Sequence, residues 1–331
     1  MRDSGGGGPE ANAAPTGKFN LNWGHTMLKS ALLWASTNPT MAQRLPRYRF
    51  VQRAVRRFMP GERMDDALRE GEALAALGTP TLVTELGENV DSAAAAQRVV
   101  DEYLRLAGEV RSRGLDMQLS VKPTHLGLDQ GLAGAAENVV RLAREADGIV
   151  WVDMESSPYV DPTLELVREA RSRVPNVGVC LQAYLHRTEA DYEALLPDIP
   201  NLRLVKGAYL EPPEVALPQK TDVDEAFRRL AVRMLRDRKA GRMGFVALGT
   251  HDPRLIREAS RAARELDVPG SDWEVEMLYG IGVSEQGRLR RSDIPLRVLI
   301  SYGAHWFPWY MRRLAERPAN VGFVLRQMLK R

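Results

Sequence analysis

The sequence repeats one pattern eight times, a short apolar run rich in β-forming residues followed by a longer stretch with helical periodicity. In one such stretch the apolar residues Val99, Tyr103, Ala107 and Val110 recur three or four positions apart. Strands that alternate with helices form a parallel sheet, because a parallel connection needs a crossover. Eight units of this kind predict a closed (β/α)8 barrel of the TIM type. The predicted strands are Thr81–Glu85, Gln118–Lys122, Ile149–Asp153, Gly178–Gln182, Leu202–Lys206, Phe245–Thr250, Glu274–Tyr279 and Arg297–Ser301.

The barrel accounts for most of the 331 residues, and an α/β barrel of roughly 250 residues folds as one domain. The segment before it is expected to hold helices, the last of which, Met64–Leu77, should plug or flank the bottom of the barrel. The first residues are rich in Gly, Ala and Pro and have little to bury, so they are expected to be disordered. The predicted divisions are a tail at 1–20, helices within 21–79 (at 26–37, at about 48–58 and the one just named) and the barrel at 80–331.

Composition excludes several classes of protein. Lys and Arg number 46 against 43 Asp and Glu, a balance that argues against a nucleic-acid partner. The single cysteine, Cys180, allows no internal disulfide and is expected to be a buried strand residue in a reducing, cytoplasmic compartment. No apolar run approaches the ~18 residues that span a bilayer, and no signal-peptide pattern opens the chain.

One segment before the barrel is strongly basic. Residues 41–60 contain six arginines and no acid. The segment can be the solvated face of a packing helix, or it can make a peripheral contact with the anionic inner face of the cell membrane. The arginines are Arg44, Arg47, Arg49, Arg53, Arg56 and Arg57.

Polar side chains collect at the ends of the predicted strands, where TIM-type barrels carry their active sites. Strand five contains Arg203 and ends in Lys206, and a charge in a strand is costly unless it is paired or used. After it, the small residues Gly207 and Ala208 would let a flat ligand approach the backbone closely. The other strand ends contribute Lys122, Asp153-Met154-Glu155 and Thr250-His251. Their convergence on one face predicts an active site.

The last predicted helix indicates the class of ligand. It contains the adjacent arginines Arg312 and Arg313, which project about 100° apart, and two guanidinium groups at one mouth suit a carboxylate or a phosphate. The histidines lack metal-ligand spacing, so no metal site is expected. Gly280-Ile281-Gly282 lacks a third glycine and follows strand seven, which argues against a dinucleotide fingerprint.

These motifs, in this order, resemble those of the monofunctional bacterial proline dehydrogenases, flavoenzymes related to one half of the bifunctional proline-utilisation proteins. The similarity runs from about residue 25 to the C-terminus. The motifs are Leu86-Gly87-Glu88, Ser120-Val121-Lys122, Asp153-Met154-Glu155, Leu181-Gln182-Ala183-Tyr184-Leu185, Arg203 to Tyr209, Thr250-His251-Asp252, Leu278-Tyr279-Gly280, and Arg312-Arg313-Leu314-Ala315-Glu316-Arg317 with Asn320.

The resemblance implies a distorted barrel that holds FAD at its C-terminal face, with the final helix over the mouth. It implies oxidation of L-proline to 1-pyrroline-5-carboxylate by hydride transfer to flavin N5, with the electrons passed to a membrane quinone. This is the first step of proline catabolism to glutamate.

The resemblance also implies a role for each matched residue. Arg312 and Arg313 would hold the proline carboxylate near Lys122, with Asp153 in the same charge network. Tyr209 and Leu278 would wall the proline ring, and Glu88 would act as a gate that pairs with Arg312. Arg203 would lie at the flavin N5 edge. The remaining cofactor-binding residues would be Met154, Gln182, Val205, Lys206, Gly207, Ala208, Thr250 and His251.

Strand eight departs from the family pattern. Members commonly carry a Tyr over the substrate ring, and Leu299 stands in its place here. A Leu leaves more room or a drier wall, so the floor of the pocket is expected to differ, and with it the KM for proline or the discrimination against hydroxyproline.

Two other functions fit parts of the sequence. A strand-end lysine in a barrel can form a Schiff base, so Lys206 could serve a lyase or aldolase. Alternatively, a barrel without catalytic activity could bind an anionic ligand through the arginine pair. Neither alternative explains the ordered set of motifs.

Overall fold

The computed structural model describes residues 48, 51–52, 55–198 and 200–316, and for 312–316 it describes the backbone alone. The predicted tail at 1–20 and the predicted helix at 26–37 lie outside these residues. Val51, Gln52 and Val55 are helical, within the helix predicted at about 48–58.

Eight parallel strands close into a barrel in sequence order, which confirms the fold predicted from the repeat. Closure is made by the last strand, which pairs with the seventh strand on one side and with the first on the other. The strands are β1 (Thr81–Glu85), β2 (Met117–Val121), β3 (Val150–Val152), β4 (Val177–Gln182), β5 (Asn201–Val205), β6 (Val246–Gly249), β7 (Trp273–Leu278) and β8 (Leu296–Tyr302). Each predicted strand is found within one residue at either end.

Helices follow the strands and bury one face against the outside of the barrel. In the helix after β1 the buried positions include Val99, Tyr103, Leu106 and Val110, with the spacing of one helical face. Ser92 begins this helix, where its hydroxyl accepts a hydrogen bond from the amide of Ala95 at 3.2 Å. The helices are α1 (Met64–Ala75), α2 (Ala93–Ser112), α3 (Leu132–Glu145), α4 (Val160–Arg171), α5 (Thr188–Leu195), α6 (Lys220–Lys239), α7 (Pro253–Glu265), α8 (Val283–Arg290) and α9 (Trp306–Glu316).

Helix α1 confirms the helix predicted immediately before the barrel. It contacts β8 and β1, and its Glu70 reaches the phenol of Tyr279 at the end of β7. Its buried residues include Leu68 and Leu74. Of the two placements expected for this helix, flanking the barrel is therefore the one observed, since α1 lies along the wall rather than plugging the bottom.

Helix α9 lies over the C-terminal mouth, as expected for the final helix. Its residues Trp306 and Tyr310 form an apolar cluster with Leu86, which follows β1, and Ile281, which follows β7. The segment before α1 joins this cluster, because Val51, Val55, Phe58 and Met59 pack against the same residues. Two parts of the chain that flank the barrel in sequence therefore cover one side of its mouth together.

The interior of the barrel has an apolar floor beneath the mouth. The ring of Trp151 is fully buried there with Leu82 and Ala247. Gly178 on the neighbouring strand leaves room for it, because a Cβ at that position would lie 2.6 Å from the indole ring. The ionic residues of the mouth lie above this floor.

No helix in the part of the chain described here is long and apolar enough to cross a membrane.

Candidate active site

A network of buried charges lies at the centre of the mouth. Arg203 donates from Nη2 to Asp153 Oδ1 and to the hydroxyl of Ser120 at 2.9 Å, and its Nη1 lies 3.2 Å from Glu276 Oε2. Ser120 in turn donates to Asp153 Oδ1 at 2.7 Å, and Lys122 Nζ lies 3.7 Å from Asp153 Oδ2. Four strands therefore supply one connected set of ionic groups.

The network is almost dry, which strengthens every charge–charge interaction within it. Arg203 is 4% exposed and Lys122 is 8% exposed. Burial by itself would lower the pKa of Arg203, but Glu276 and Asp153 outweigh it and hold that pKa above its ordinary value. Burial raises the pKa of Glu276, although Arg203 and Arg297 act in the opposite direction. The guanidinium of Arg203 also lies 5.3 Å above the centre of the Trp151 ring.

Most residues assigned to the cofactor lie on neighbouring strands. They follow or end β3, β4, β5 and β6 and so occupy one half of the mouth, because the strands are ordered in sequence around the barrel. Met154 and Gln182 are buried, and the Gln182 side-chain amide donates to the carbonyl of Glu155 at 2.9 Å. Val205 and Ala208 are half-buried.

The backbone conformation of Gly207 and its contact with Tyr184 both require glycine at this position. Its φ of +118° is unfavourable for other residues, and a Cβ there would lie 2.2 Å from the ring of Tyr184. The phenol of Tyr184 donates to the carbonyl of Tyr209 at 3.3 Å, which ties the loop after β5 to β4. The Cβ side of Gly207 is therefore filled by Tyr184 and is not open to a flat ligand.

Lys206 belongs to a second ionic cluster, outside the central network. Its Nζ lies 2.5 Å from Asp224 and 3.4 Å from Asp252. Asp224 also pairs with Lys220 and, at 3.0 Å, with Arg254. Three cations therefore face two carboxylates where α6 and α7 begin, and the cluster has an excess of positive charge.

Thr250 and His251 make contacts that organise the loop after β6. The hydroxyl of Thr250 accepts a hydrogen bond from the amide of Asp252 at 3.2 Å. His251 Nε2 accepts one from the amide of Leu278 at 3.3 Å, which links the ends of β6 and β7. Asp252 begins α7 by accepting the amide of Arg254 at 3.0 Å.

Most residues assigned to the substrate lie on the other side of the mouth. Leu278 packs against the apolar cluster under α9, and Glu88 and Lys122 line a cleft of about 490 Å³ between the loop after β1 and the start of α9. Tyr209 is half-buried in the loop after β5. The backbone of Arg312 and Arg313 lies in α9, but their side chains, and with them the proposed Glu88–Arg312 gate, lie outside the described residues.

Three residues of the mouth were not singled out from the sequence. Ser120 and Glu276 complete the central network, and Trp151 lies under it. Glu276 had a detectable signal, because Glu274 and Glu276 are charged residues at alternate positions of an otherwise apolar strand and so face the same side of it. The expectation that Cys180 is a buried strand residue is confirmed, since it lies in β4 with its thiol buried.

The comparisons with known proteins agree with this geometry. The family model for proline dehydrogenase matches residues 67–326. Proline dehydrogenase 1 of Bacillus subtilis is 33% identical over 308 residues, which cover 92% of this chain and 100% of that protein. Proline dehydrogenase of Deinococcus radiodurans is 35% identical over 313 residues, or 92% of this chain and 98% of that protein.

Among solved structures, proline utilization A from Bdellovibrio bacteriovorus inactivated by N-propargylglycine superimposes with a TM-score of 0.75 at 22% identity. The match covers 89% of this chain and 37% of that much longer one, and it shows the shared barrel fold. Because the family model spans well over half of the sequence and the bacterial relatives span nearly all of it, the chain belongs to the proline dehydrogenase family.

Proposed function

We propose that this protein oxidises L-proline to 1-pyrroline-5-carboxylate with FAD as its cofactor. The observation that carries the proposal is the ionic network of buried Lys122, Arg203 and Glu276 with half-buried Asp153 at the mouth of the barrel, in a chain of the proline dehydrogenase family. Buried charges of this kind are costly to assemble and are typical of functional sites.

The donor set fits FAD in two places. Arg203 presents a buried, permanently charged guanidinium at the centre of the mouth, where it suits the N5 edge of a flavin. The cluster around Lys206 has three cations against two carboxylates at the beginnings of two helices, which suits the negative diphosphate. Arg203 lies in β5 and Lys206 directly follows that strand, so one extended cofactor could reach both sites. A bound flavin supplies the two-electron acceptor for the oxidation of proline.

For the substrate, we propose that the chain acts mainly by positioning. Lys122, together with Arg312 and Arg313, would bind the proline carboxylate, while Asp153 holds Lys122 and Arg203 in place. Leu278 and Tyr209 would border the proline ring. Hydride transfer depends on the distance and angle between two atoms, so a fixed carboxylate and a dry pocket are the main requirements. Glu88 would close the cleft by pairing with Arg312.

We further propose that a membrane quinone accepts the electrons. Arg56 and Arg57 are exposed on the segment that covers the mouth, and they belong to the basic stretch at 41–60. Contact between that stretch and anionic lipids would place the mouth near a quinone dissolved in the bilayer.

The environment of Lys206 disfavours the Schiff-base alternative. A lysine that forms a Schiff base must be neutral, and an apolar or cationic environment helps to make it so. The ammonium group of Lys206 instead forms ion pairs with Asp224 at 2.5 Å and with Asp252 at 3.4 Å. The alternative of a barrel without catalytic activity is disfavoured by membership of an enzyme family.

The proposal is tested by the visible absorption spectrum of the purified protein, recorded without oxygen before and after addition of L-proline. Flavin bands that bleach on addition would support both cofactor and substrate. A protein that remains colourless after incubation with FAD would contradict the cofactor, and bands that do not respond to proline would contradict the substrate. Borohydride trapping of a carbonyl substrate on Lys206 would favour the Schiff-base lyase instead.

Leu299 offers a test of the pocket floor. It is half-buried beside Leu82 and Trp151 inside the barrel, and its neighbour on β7 is Leu278. We expect Leu299→Tyr to retain proline oxidation but to change the KM for proline or for hydroxyproline by about 10-fold, the scale of one altered apolar contact. Steady-state kinetics on both substrates would measure this, with the volume-conserving Leu299→Met as the control. Unchanged kinetics for Leu299→Tyr on both would contradict the assignment.

A further inference from the structure

Glu276 is the one charged member of the central network, as described above, to which the proposed reaction gives no role. It lies on β7, is 5% exposed, and reaches Nη1 of Arg203 through Oε2 at 3.2 Å. Its other oxygen, Oε1, is buried without a hydrogen-bond partner within the part of the chain that the structure describes. A carboxylate held in this way is costly, so its contact with Arg203 needs an explanation.

Arg203 has other partners that hold it in place. Its Nη2 group already donates to Asp153 and to Ser120, and its guanidinium lies over Trp151. What Glu276 adds is a negative charge. Lys122, Asp153 and Arg203 alone would carry two positive charges against one negative, whereas with Glu276 the charges balance.

We propose that Glu276 is a positioning residue that sets the effective charge of Arg203 and thereby lowers the two-electron reduction potential of the bound flavin. This inference rests on the proposed function, because it takes Arg203 as the neighbour of the flavin N5 edge. A positive charge beside the flavin favours its reduced, anionic form, so a carboxylate behind that charge has the opposite effect. Glu276 would therefore make the flavin a weaker oxidant of proline and a better donor to its acceptor.

The chain offers a matched control on the same strand. Glu274, two residues earlier on β7, is as buried as Glu276 and pairs with Arg297 at 2.8 Å. Arg297 also binds Asp116 and the carbonyl of Thr81 near the opposite end of the barrel. Replacing Glu274 removes the same charge from the same strand without touching Arg203.

The experiment compares the reduction potential of the flavin in wild type, Glu276→Gln and Glu274→Gln, each equilibrated with a redox dye in the absence of proline. A unit charge acting over roughly 10 Å at an effective dielectric constant of about 20 changes an equilibrium about tenfold. We therefore expect Glu276→Gln to raise the ratio of reduced to oxidised flavin about tenfold, which is about 30 mV for two electrons. Glu274→Gln should shift the potential by less, because Glu274 lies two residues earlier on β7 and pairs with Arg297 instead of Arg203.

A potential for Glu276→Gln equal to that of wild type would overturn the proposal, as would equal shifts in both variants. If Glu276→Gln does not fold, the shorter pair Glu276→Asp and Glu276→Asn provides the same comparison, because the two differ in charge and hardly in size. Equal potentials for that pair would likewise overturn it. A wild-type protein that binds no flavin or is not reduced by proline would instead refute the proposed function and the inference with it.

Discussion

Replacing Arg203 by methionine is expected to cost about 3–5 kcal/mol in the free energy of unfolding, the usual effect of removing one partner of a buried ion pair. Arg203 is 4% exposed and is shared by Asp153 and Glu276, so its loss leaves the buried Glu276 without its cation and Asp153 with Lys122 alone. We also expect proline turnover to fall by about 10²–10³-fold, as when a fixed charge at a reacting centre is removed. Urea unfolding and anaerobic reduction by proline would measure the two effects.

The loss of stability in Arg203→Met should depend on pH. Without the guanidinium, burial raises the pKa of Glu276 further above its value in the unfolded chain. The folded state then binds more protons than the unfolded state, so stability falls as the pH rises. The deficit relative to wild type should therefore be largest at neutral pH and smaller near about pH 5. If the loss of stability did not change with pH, an uncompensated carboxylate could not be its cause.

Arg297→Met is the control for this experiment. Arg297 is 6% exposed and pairs with Glu274 and Asp116, so it is a second buried arginine inside the same barrel. It belongs to a separate set of contacts and does not touch Arg203 or Lys122. We expect a comparable loss of stability with proline oxidation by the folded protein near wild type. Equal losses of activity in the two variants would assign the effect to folding rather than to the site.

The barrel could be predicted from the sequence because the patterns of its strands and of its helices can each be read from residues that are close together in the chain. Alternation of apolar runs with helical stretches located all eight strands to within one residue. The same pattern placed Lys122, Asp153, Lys206 and Thr250 at strand ends, since in a closed parallel barrel these ends meet at one mouth.

The pairing of the side chains across the barrel could not be predicted in this way. Arg203 meets Asp153 and Glu276, which lie 50 and 73 residues away along the chain. Periodicity indicates which side of a strand a residue faces, but not which inward-facing groups are long enough to touch. Glycines are a second case, because the ring of Tyr184 constrains Gly207 across the gap between two loops. Only the packed structure contains that contact.

Gly280→Ala is expected to displace the segment before α1 from the mouth. Gly280 has a φ of +71°, and a Cβ there would lie 1.7 Å from the backbone oxygen of Arg57. Because the obstacle is backbone, no change of rotamer can relieve the clash, and residues 55–59 have to move. Phe58, whose ring centre lies 5.8 Å from that of Tyr310, would then leave the apolar cluster under α9.

Gly241→Ala separates this displacement from the cost of the backbone conformation alone. Gly241 has a φ of +70°, and nothing lies within 4 Å of the position its Cβ would take. It should therefore lose only about 1–2 kcal/mol in the free energy of unfolding. Gly280→Ala should lose about 3–5 kcal/mol, because the loss of packing between large apolar side chains is added to the cost of the backbone conformation.

The tryptophan emission of Gly280→Ala should also shift to longer wavelength as Trp306 becomes exposed. Equal losses in the two variants, with unchanged emission, would mean that the segment does not close the mouth. The predicted difference would instead make residues 55–59 part of the site, and it would explain Gly280 by the close approach of two backbones.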